Sequence, residues 1–249
     1  MTSADIESNK RVSFAYPVYF PGVNVRSEEV TDEPVELLEL PTTQDEWNNH
    51  TYYRQLQGTL YNEKLIVPAS NVTIWIDPLD ATREYTEGLY QYVTNMIGVA
   101  VNGRPVIGIL NAPFQNRTKL GLQFDSISLN LDIGEGEVES SEKNVYVSRS
   151  YWLRLSGGGK RALQDTFVQD IIPAGGAGYK AWRVIEETNS AYIHTRRIKL
   201  WDLCAPEAVL LASGGRLTQF DGSAIHYGPH ESALHTGGKK KKTLIRFEV

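Results

Sequence analysis

The sequence predicts an α/β protein of stacked layers, on three observations. Strand-like and helix-like segments alternate along its second half, the pattern of sheets covered by helices. A β-branched and aromatic run, VTIWI at 72–76, is cut off by Asp77-Pro78. Of 249 residues, 41% are hydrophobic and 22% charged, which supplies a sizeable core and excludes collagen-like, coiled-coil and wholly disordered chains. The length fits one or two domains.

In chain order, residues 72–76 read as a buried strand that stops where Pro78 removes a ladder donor, so that chemistry would sit at the strand end. A turn is expected around Glu84 to Gly88. The segments Tyr92 to Val101 and Pro105 to Leu110 flank Asn102-Gly103 and read as two strands joined by a type I′ hairpin. Residues Asn116 to Ser141 are polar and acidic with an alternating patch at Leu122 to Ile133, which predicts an exposed hairpin or loop. A second half opens near Val145, where VYVS is a short strand and Lys160 to Gln169 a helix. Pro173 to Gly178 (PAGGAG) reads as a flexible break before a helix from Tyr179 to Glu187. Ala191 to His194 is a strand, and Pro206 to Ser213 a helix ended by Gly214-Gly215. Leu217 to Phe220 and Asp221-Gly222 close with a strand and turn. There is no internal repeat.

Charge and cysteine narrow the function. With 25 basic against 30 acidic residues the net charge is −5, which argues against an electrostatic grip on long nucleic acid. The basic run Lys239 to Lys242 reads as a solvated tail. The single cysteine, Cys204, excludes an intrachain disulfide. No apolar run approaches the roughly 20 residues that span a bilayer, and MTSADIESNK is too polar for a signal peptide. Asn49, Asn71 and Asn116 head Asn-x-Ser/Thr triplets, a slight lumenal hint, since such triplets also arise by chance.

Asp77 and Asp80 lie three apart around Pro78 and Thr82 follows, so a strand ending there gathers two carboxylates and a hydroxyl in a small volume. Hard oxygen donors so placed suit Mg²⁺, which takes carboxylates, water and substrate phosphate. The competing reading is a plain turn, because Asp-Pro and Asp-Ala-Thr are also common turn and capping residues. Glu28-Glu29 reads equally as a solvated acidic pair, and Asp202, just before a predicted helix, as its cap.

The combination shifts the balance. TSADIESN at 2–9, Glu28-Glu29, WIDPLDAT at 75–82 and WDLCAPEA at 201–208 occur in the order found in the inositol monophosphatase superfamily of Mg²⁺-dependent, lithium-sensitive phosphatases, which the sequence resembles. Within it, DPLDATREYTEG at 77–88, VSRS at 147–150, IIPAGGAGYK at 171–180 and WDLCAPE are similar to the 3′(2′),5′-bisphosphate nucleotidase branch, most of all to Golgi-resident phosphatases of 3′-phosphoadenosine 5′-phosphate. The resemblance implies a layered α-β-α-β sandwich of the sugar-phosphatase type, lacking the first N-terminal helix. It implies two regions: 1–143 with the metal motifs, and 144–249 completing the metal and nucleotide site.

It further implies that Glu28, Asp77, Asp80, Asp202 and the main-chain carbonyl of Leu79 ligate two or three Mg²⁺ ions, with Asp77 bridging. Asp5 and Thr82 would orient and deprotonate the attacking water. Ser148, Gly176 and Lys180, with Asp202, would hold the nucleotide. The implied reaction removes the 3′-phosphate of 3′-phosphoadenosine 5′-phosphate to give AMP. The alternatives are an inositol phosphate phosphatase and a truncated, weakly active isoform. The implied partner is a small phosphorylated nucleotide, with no membrane segment in this chain and a homodimer left open. The implied compartment is the Golgi lumen, with the cytoplasm as alternative.

Four departures from the family pattern carry expectations of their own. The chain starts at Met1, without the long helix that precedes TSADIESN, so a packing layer should be missing. Phe14 to Phe20 (FAYPVYF) contains Pro17, which should break the helix after Asp5. Tyr151 stands where the nucleotidases carry a His, removing a cationic contact. KKKKTLIRFEV replaces an apolar final strand, and four lysines cannot fill a buried strand, so a disordered end is expected.

Overall fold

The structure is a computed structural model that describes residues 2–13, 20–30, 66–125, 127–134, 144–154, 156–166, 170–187, 190–219, 221–235 and 245–248. The N-terminal helix α1 (Ser3–Ser13) is followed by β1 (Asn24–Ser27). The Pro17 segment lies outside the described residues, as do Asn49 and Lys239 to Lys242.

Six strands form the first sheet in sequence order: β1, β2 (Val72–Asp80), β3 (Thr94–Val101), β4 (Arg104–Ala112), β5 (Arg117–Phe124) and β6 (Ile127–Ile133). Only the β1–β2 pair is parallel. The Asn102-Gly103 hairpin forms as expected, with φ of 51° and 74° at its two central residues, the positive values a type I′ turn requires. The earlier part of the polar region likewise forms the β5–β6 hairpin, while residues 135–141 lie outside the described residues.

The second sheet takes its strands from residues 144–248. The parallel strands β7 (Asn144–Ser148), β8 (Asp170–Ala174) and β9 (Ala191–His194) are extended by β13 (Ile245–Glu248) and β11 (Arg216–Gln219), in the order β11-β13-β9-β7-β8. Of the end expected to be disordered, residues 245–248 form a strand instead, and residues 239–244 lie outside the described residues. The strand starts at Ile245, after the lysines, so no ammonium has to enter the ladder. A short ribbon, β10 (Ile198–Lys199) with β12 (Leu234–His235), stands apart.

Helices α2 (Thr82–Thr86), α3 (Arg149–Trp152) and α4 (Gly157–Thr166) are short or peripheral. Helices α5 (Ala177–Glu186) and α6 (Trp201–Ala212) lie between the two sheets. Helix α6 begins at Trp201, not at Pro206 as the sequence suggested. A proline is tolerated inside because the segment is apolar all round and buried, so tertiary packing outweighs the lost N–H. Leu203, Val209 and Leu210 are fully buried, worth about 1.5–3 kcal/mol each.

What brings α6 so close is a trough of three cross-strand glycines. Gly98 pairs with Gly108, and Gly108 with Gly121. A Cβ on Gly98 would meet Ala205 N at 2.5 Å, and one on Gly121 would meet Val209 Cα at 2.5 Å. Only bare backbone lets the helix lie this low, and the helix carries Asp202 at its first turn.

Candidate active site

The strand expected to stop at Asp77 runs on to Asp80, and the missing donor of Pro78 is absorbed by a bulge. Asp77 pairs with Met96 and Asp80 with Thr94, so two residues of β2 face one of β3. The Pro78 carbonyl turns out of the ladder and accepts from Ser8 Oγ at 2.6 Å and Asn95 Nδ2 at 2.5 Å. Ala81 then takes a left-handed conformation (φ 69°, ψ 38°) unusual for a residue with a Cβ, and α2 starts at Thr82. The bulge and this kink leave Asp77 and Asp80 close together at the end of β2, with the Thr82 hydroxyl 3.2 Å from the Leu79 carbonyl beside them.

Asp202 arrives there from α6. Asp77, Asp80 and Asp202 each bring a carboxylate oxygen within 4.8 Å of the others. Each is held by main-chain donors: Leu79 N–H to Asp77 at 3.1 Å, Gly178 N–H to Asp80 at 2.8 Å and Lys199 N–H to Asp202 at 2.9 Å. Burial, then the charges of Asp80 and Asp202, push the Asp77 carboxyl well up. Burial and Asp80 raise Asp202 to about 7, and burial raises Asp80 against the opposing Lys180 charge and Gly178 N–H. Three acids so placed cannot all ionise without a cation between them. Their oxygens, with the Leu79 carbonyl, fit a hard divalent ion such as Mg²⁺. Glu28 follows β1 and its N–H donates to the Ile76 carbonyl at 3.0 Å. It stands outside the trio, yet desolvation and the charges of Asp80 and Glu29 raise its carboxyl, with Lys199 opposing.

Asp5, 2% exposed on α1, faces Thr82: the Thr82 hydroxyl lies 3.0 Å from Asp5 Oδ1 and 3.2 Å from the Leu79 carbonyl. The glycine run expected as a flexible break is instead a tight junction between β8 and α5. Gly176 has φ 60°, and a Cβ there would meet the Tyr92 carbonyl at 2.6 Å and Asp80 Oδ2 at 3.0 Å. Close approach, not mobility, explains the glycines.

A cleft of about 320 Å³ opens over the cluster, lined by Asp80, Thr82 and Asp202 on one side and Ser148, Gly176 and Lys180 on the other. The six are thus brought together. Lys180 is 4% exposed, and its ammonium donates to the carbonyls of Gly175, at 3.2 Å, and Gly176, and sits 4.9 Å from the Tyr192 ring centre. Tyr151 lies under Arg196, whose Cζ is 5.8 Å from its ring centre. Sequence reasoning missed Arg149, His194 and Arg197, which also line the cleft. Arg149 belongs to the VSRS segment already noted, whereas nothing marked His194 or Arg197.

Comparison with known proteins accords with this geometry. The sequence profile of the inositol monophosphatase family matches residues 1–246. The chain is 39% identical over 238 residues to the Golgi-resident adenosine 3′,5′-bisphosphate 3′-phosphatase of Rattus norvegicus, covering 91% of this chain and 62% of that protein. To inositol monophosphatase 3 of Danio rerio it is 36% identical over 241 residues, 91% of this chain and 64% of the relative. The chain spans 53% to 64% of the length of the first curated relatives it matches. Among solved structures, an IMPase/NADP phosphatase complexed with Mg²⁺ and phosphate superposes with TM-score 0.63 at 14% identity, over 100% of this chain and 77% of its own. SaIMPase-II bound to 2′-AMP gives 0.63 at 12%, over 100% and 79%. These two likenesses are of fold. With its profile match running through both sheets and all the acidic motifs, the chain belongs to the inositol monophosphatase family.

Proposed function

We propose that this chain is a Mg²⁺-dependent phosphoric monoester hydrolase that removes the 3′-phosphate of adenosine 3′,5′-bisphosphate to leave AMP. The observation that carries the reading is the trio Asp77, Asp80 and Asp202, whose oxygens lie within 4.8 Å of one another, with Asp80 and Asp202 lining a cleft that Ser148, Gly176 and Lys180 also line. The rat relative's name supports the nucleotide as substrate class. Asp77, Asp80, Asp202, the Leu79 carbonyl and Glu28 would hold two or three Mg²⁺ ions. When bound, Mg²⁺ acidifies water, neutralises the phosphate and stabilises the leaving oxygen.

The chain's own residues do the rest. Thr82 donates its hydroxyl proton to Asp5, leaving its oxygen lone pairs to accept a proton from the attacking water. Loss of that proton to Thr82 moves the hydroxyl proton on to Asp5, so the pair acts as a base whose carboxylate is buried and whose hydroxyl faces the cleft. The N–H of Gly178 and the glycine turn fix Asp80 while the rest of the nucleotide lies toward Ser148.

Phosphate release from adenosine 3′,5′-bisphosphate and from inositol 1-phosphate, with and without Mg²⁺, tests the proposal. Mg²⁺-dependent release faster from the nucleotide is expected. Faster release from inositol 1-phosphate overturns the substrate, and no release from either overturns the enzyme.

A further inference from the structure

Four basic side chains line the cleft: Arg83, Arg149, Lys180 and Arg197. Three are already committed. Arg83 Nε lies 2.9 Å from Glu87, Arg149 Nη1 lies 2.6 Å from Glu87 and 3.7 Å from Glu84, and the Lys180 ammonium is capped by the Gly175 and Gly176 carbonyls. His194 adds no charge, because burial and then Lys180 push its imidazole down to about 4. Arg197 is exposed, and among the described residues its guanidinium has no ion pair and no hydrogen bond.

The fold holds the Arg197 backbone in place from behind. β9 ends at His194 and β10 begins at Ile198, so only residues 195–197 connect them. His194 Nδ1 lies 2.9 Å from the Tyr192 hydroxyl and its Nε2 3.3 Å from the Arg197 carbonyl. A neutral imidazole satisfies both, accepting the tyrosine proton at Nδ1 and donating from Nε2. Arg196 lies over the Tyr151 ring, so two consecutive arginines serve different walls: one covers α3 and the other enters the cleft.

Resting on the proposed function, we infer that Arg197 sets substrate specificity by binding a second anionic group, the phosphate that stays on the nucleotide. In the proposed function the carboxylate cluster, once it holds Mg²⁺, would serve the phosphate that leaves. A second phosphate entering a cleft that also contains Asp80, Glu84 and Asp202 is repelled unless an uncommitted cation meets it. Arg197 is that cation, and a guanidinium matches two phosphate oxygens at once.

Initial rates on adenosine 3′,5′-bisphosphate and adenosine 3′-monophosphate, for the wild type, Arg197→Ala and Arg197→Lys, test the inference. Arg197→Ala is expected to lower kcat/KM on the bisphosphate at least tenfold more than on the monophosphate, chiefly through KM, while Arg197→Lys restores part of the difference. The wild-type preference for the bisphosphate should also shrink as salt rises. Equal losses on both substrates, or a loss on neither, overturn the inference and leave the proposed function standing. A wild-type chain that hydrolyses neither overturns the proposed function, and this inference with it.

Discussion

The Thr82 hydroxyl lies 3.0 Å from an Asp5 carboxylate oxygen, joining the first turn of α2 to α1 across 77 positions of sequence. A hydroxyl has one proton, so it cannot also donate fully to the Leu79 carbonyl at 3.2 Å. When Asp5 takes the proton, the Leu79 carbonyl keeps its lone pairs, as the proposed metal site requires. Replacing Thr82 by Ala should cut kcat by about 10²-fold or more, with a modest change in KM, while Thr82→Ser should keep most of the rate because the proton path survives. Steady-state rates at saturating Mg²⁺ check this, and an active Thr82→Ala enzyme would remove Thr82 from the chemistry.

The acidic trio should make metal and stability interdependent. Mg²⁺ at a hundred times its Kd should stabilise the chain by about 2.7 kcal/mol, seen as a rise in Tm. Asp77→Asn removes one of three mutually repelling buried acids. It should therefore raise the metal-free Tm while abolishing both the Mg²⁺-induced shift and turnover. A normal Mg²⁺ response in Asp77→Asn would refute the ligand assignment.

Much of this site was legible in the sequence because its groups are short motifs of distinctive chemistry. Asp77, Asp80 and Thr82 sit within six residues, and the WDLCAPE segment announces Asp202. What sequence could not supply was where the backbone would bend. Pro78 argued for a strand end, whereas the bulge and the hydrogen bonds from Ser8 and Asn95 keep the strand going. The glycines of PAGGAG spoke for mobility, yet their role is contact with Asp80 and Glu84, residues about a hundred positions away that local pattern cannot reveal. Arg197 was missed for the same reason: an arginine becomes notable only when the other cations around it are seen to be occupied.

Glu207 offers a pH-dependent test away from the metal. It is 5% exposed on α6 and accepts a hydrogen bond from the Tyr227 hydroxyl, whose residue in turn takes the Trp75 indole N–H on its carbonyl at 3.0 Å. Burial raises the Glu207 carboxyl from 4.5 to about 7, against the lowering effects of Tyr227 and Arg104. Between those values the folded protein holds a proton that the unfolded chain has released. Stability from this group is thus fully present below about 4.5 and is lost as pH rises to about 7, by roughly 3 kcal/mol. Glu207→Gln should flatten the Tm-against-pH curve in that window, and an unchanged slope would count against the buried neutral acid.

The glycine trough gives the last prediction, because it links a position with no chemistry to the metal site. A methyl on Gly108 would run into the Ala205 carbonyl and meet Val209 Cγ2 at 2.9 Å, and the nearest obstacle is helix backbone, which cannot rotate aside. Gly108→Ala must therefore lift or tilt α6, at a cost of about 1–3 kcal/mol for overpacking. Since Asp202 rides on the first turn of α6, the same displacement opens the trio. The expected result is a lower Tm together with weaker Mg²⁺ stabilisation. Gly157→Ala serves as the control: it opens α4 with nothing within 4 Å of the added methyl, so it should leave both Mg²⁺ binding and Tm close to the wild type. If Gly108→Ala lowers Tm while Mg²⁺ binds as in the wild type, the sheet does not position Asp202 through α6.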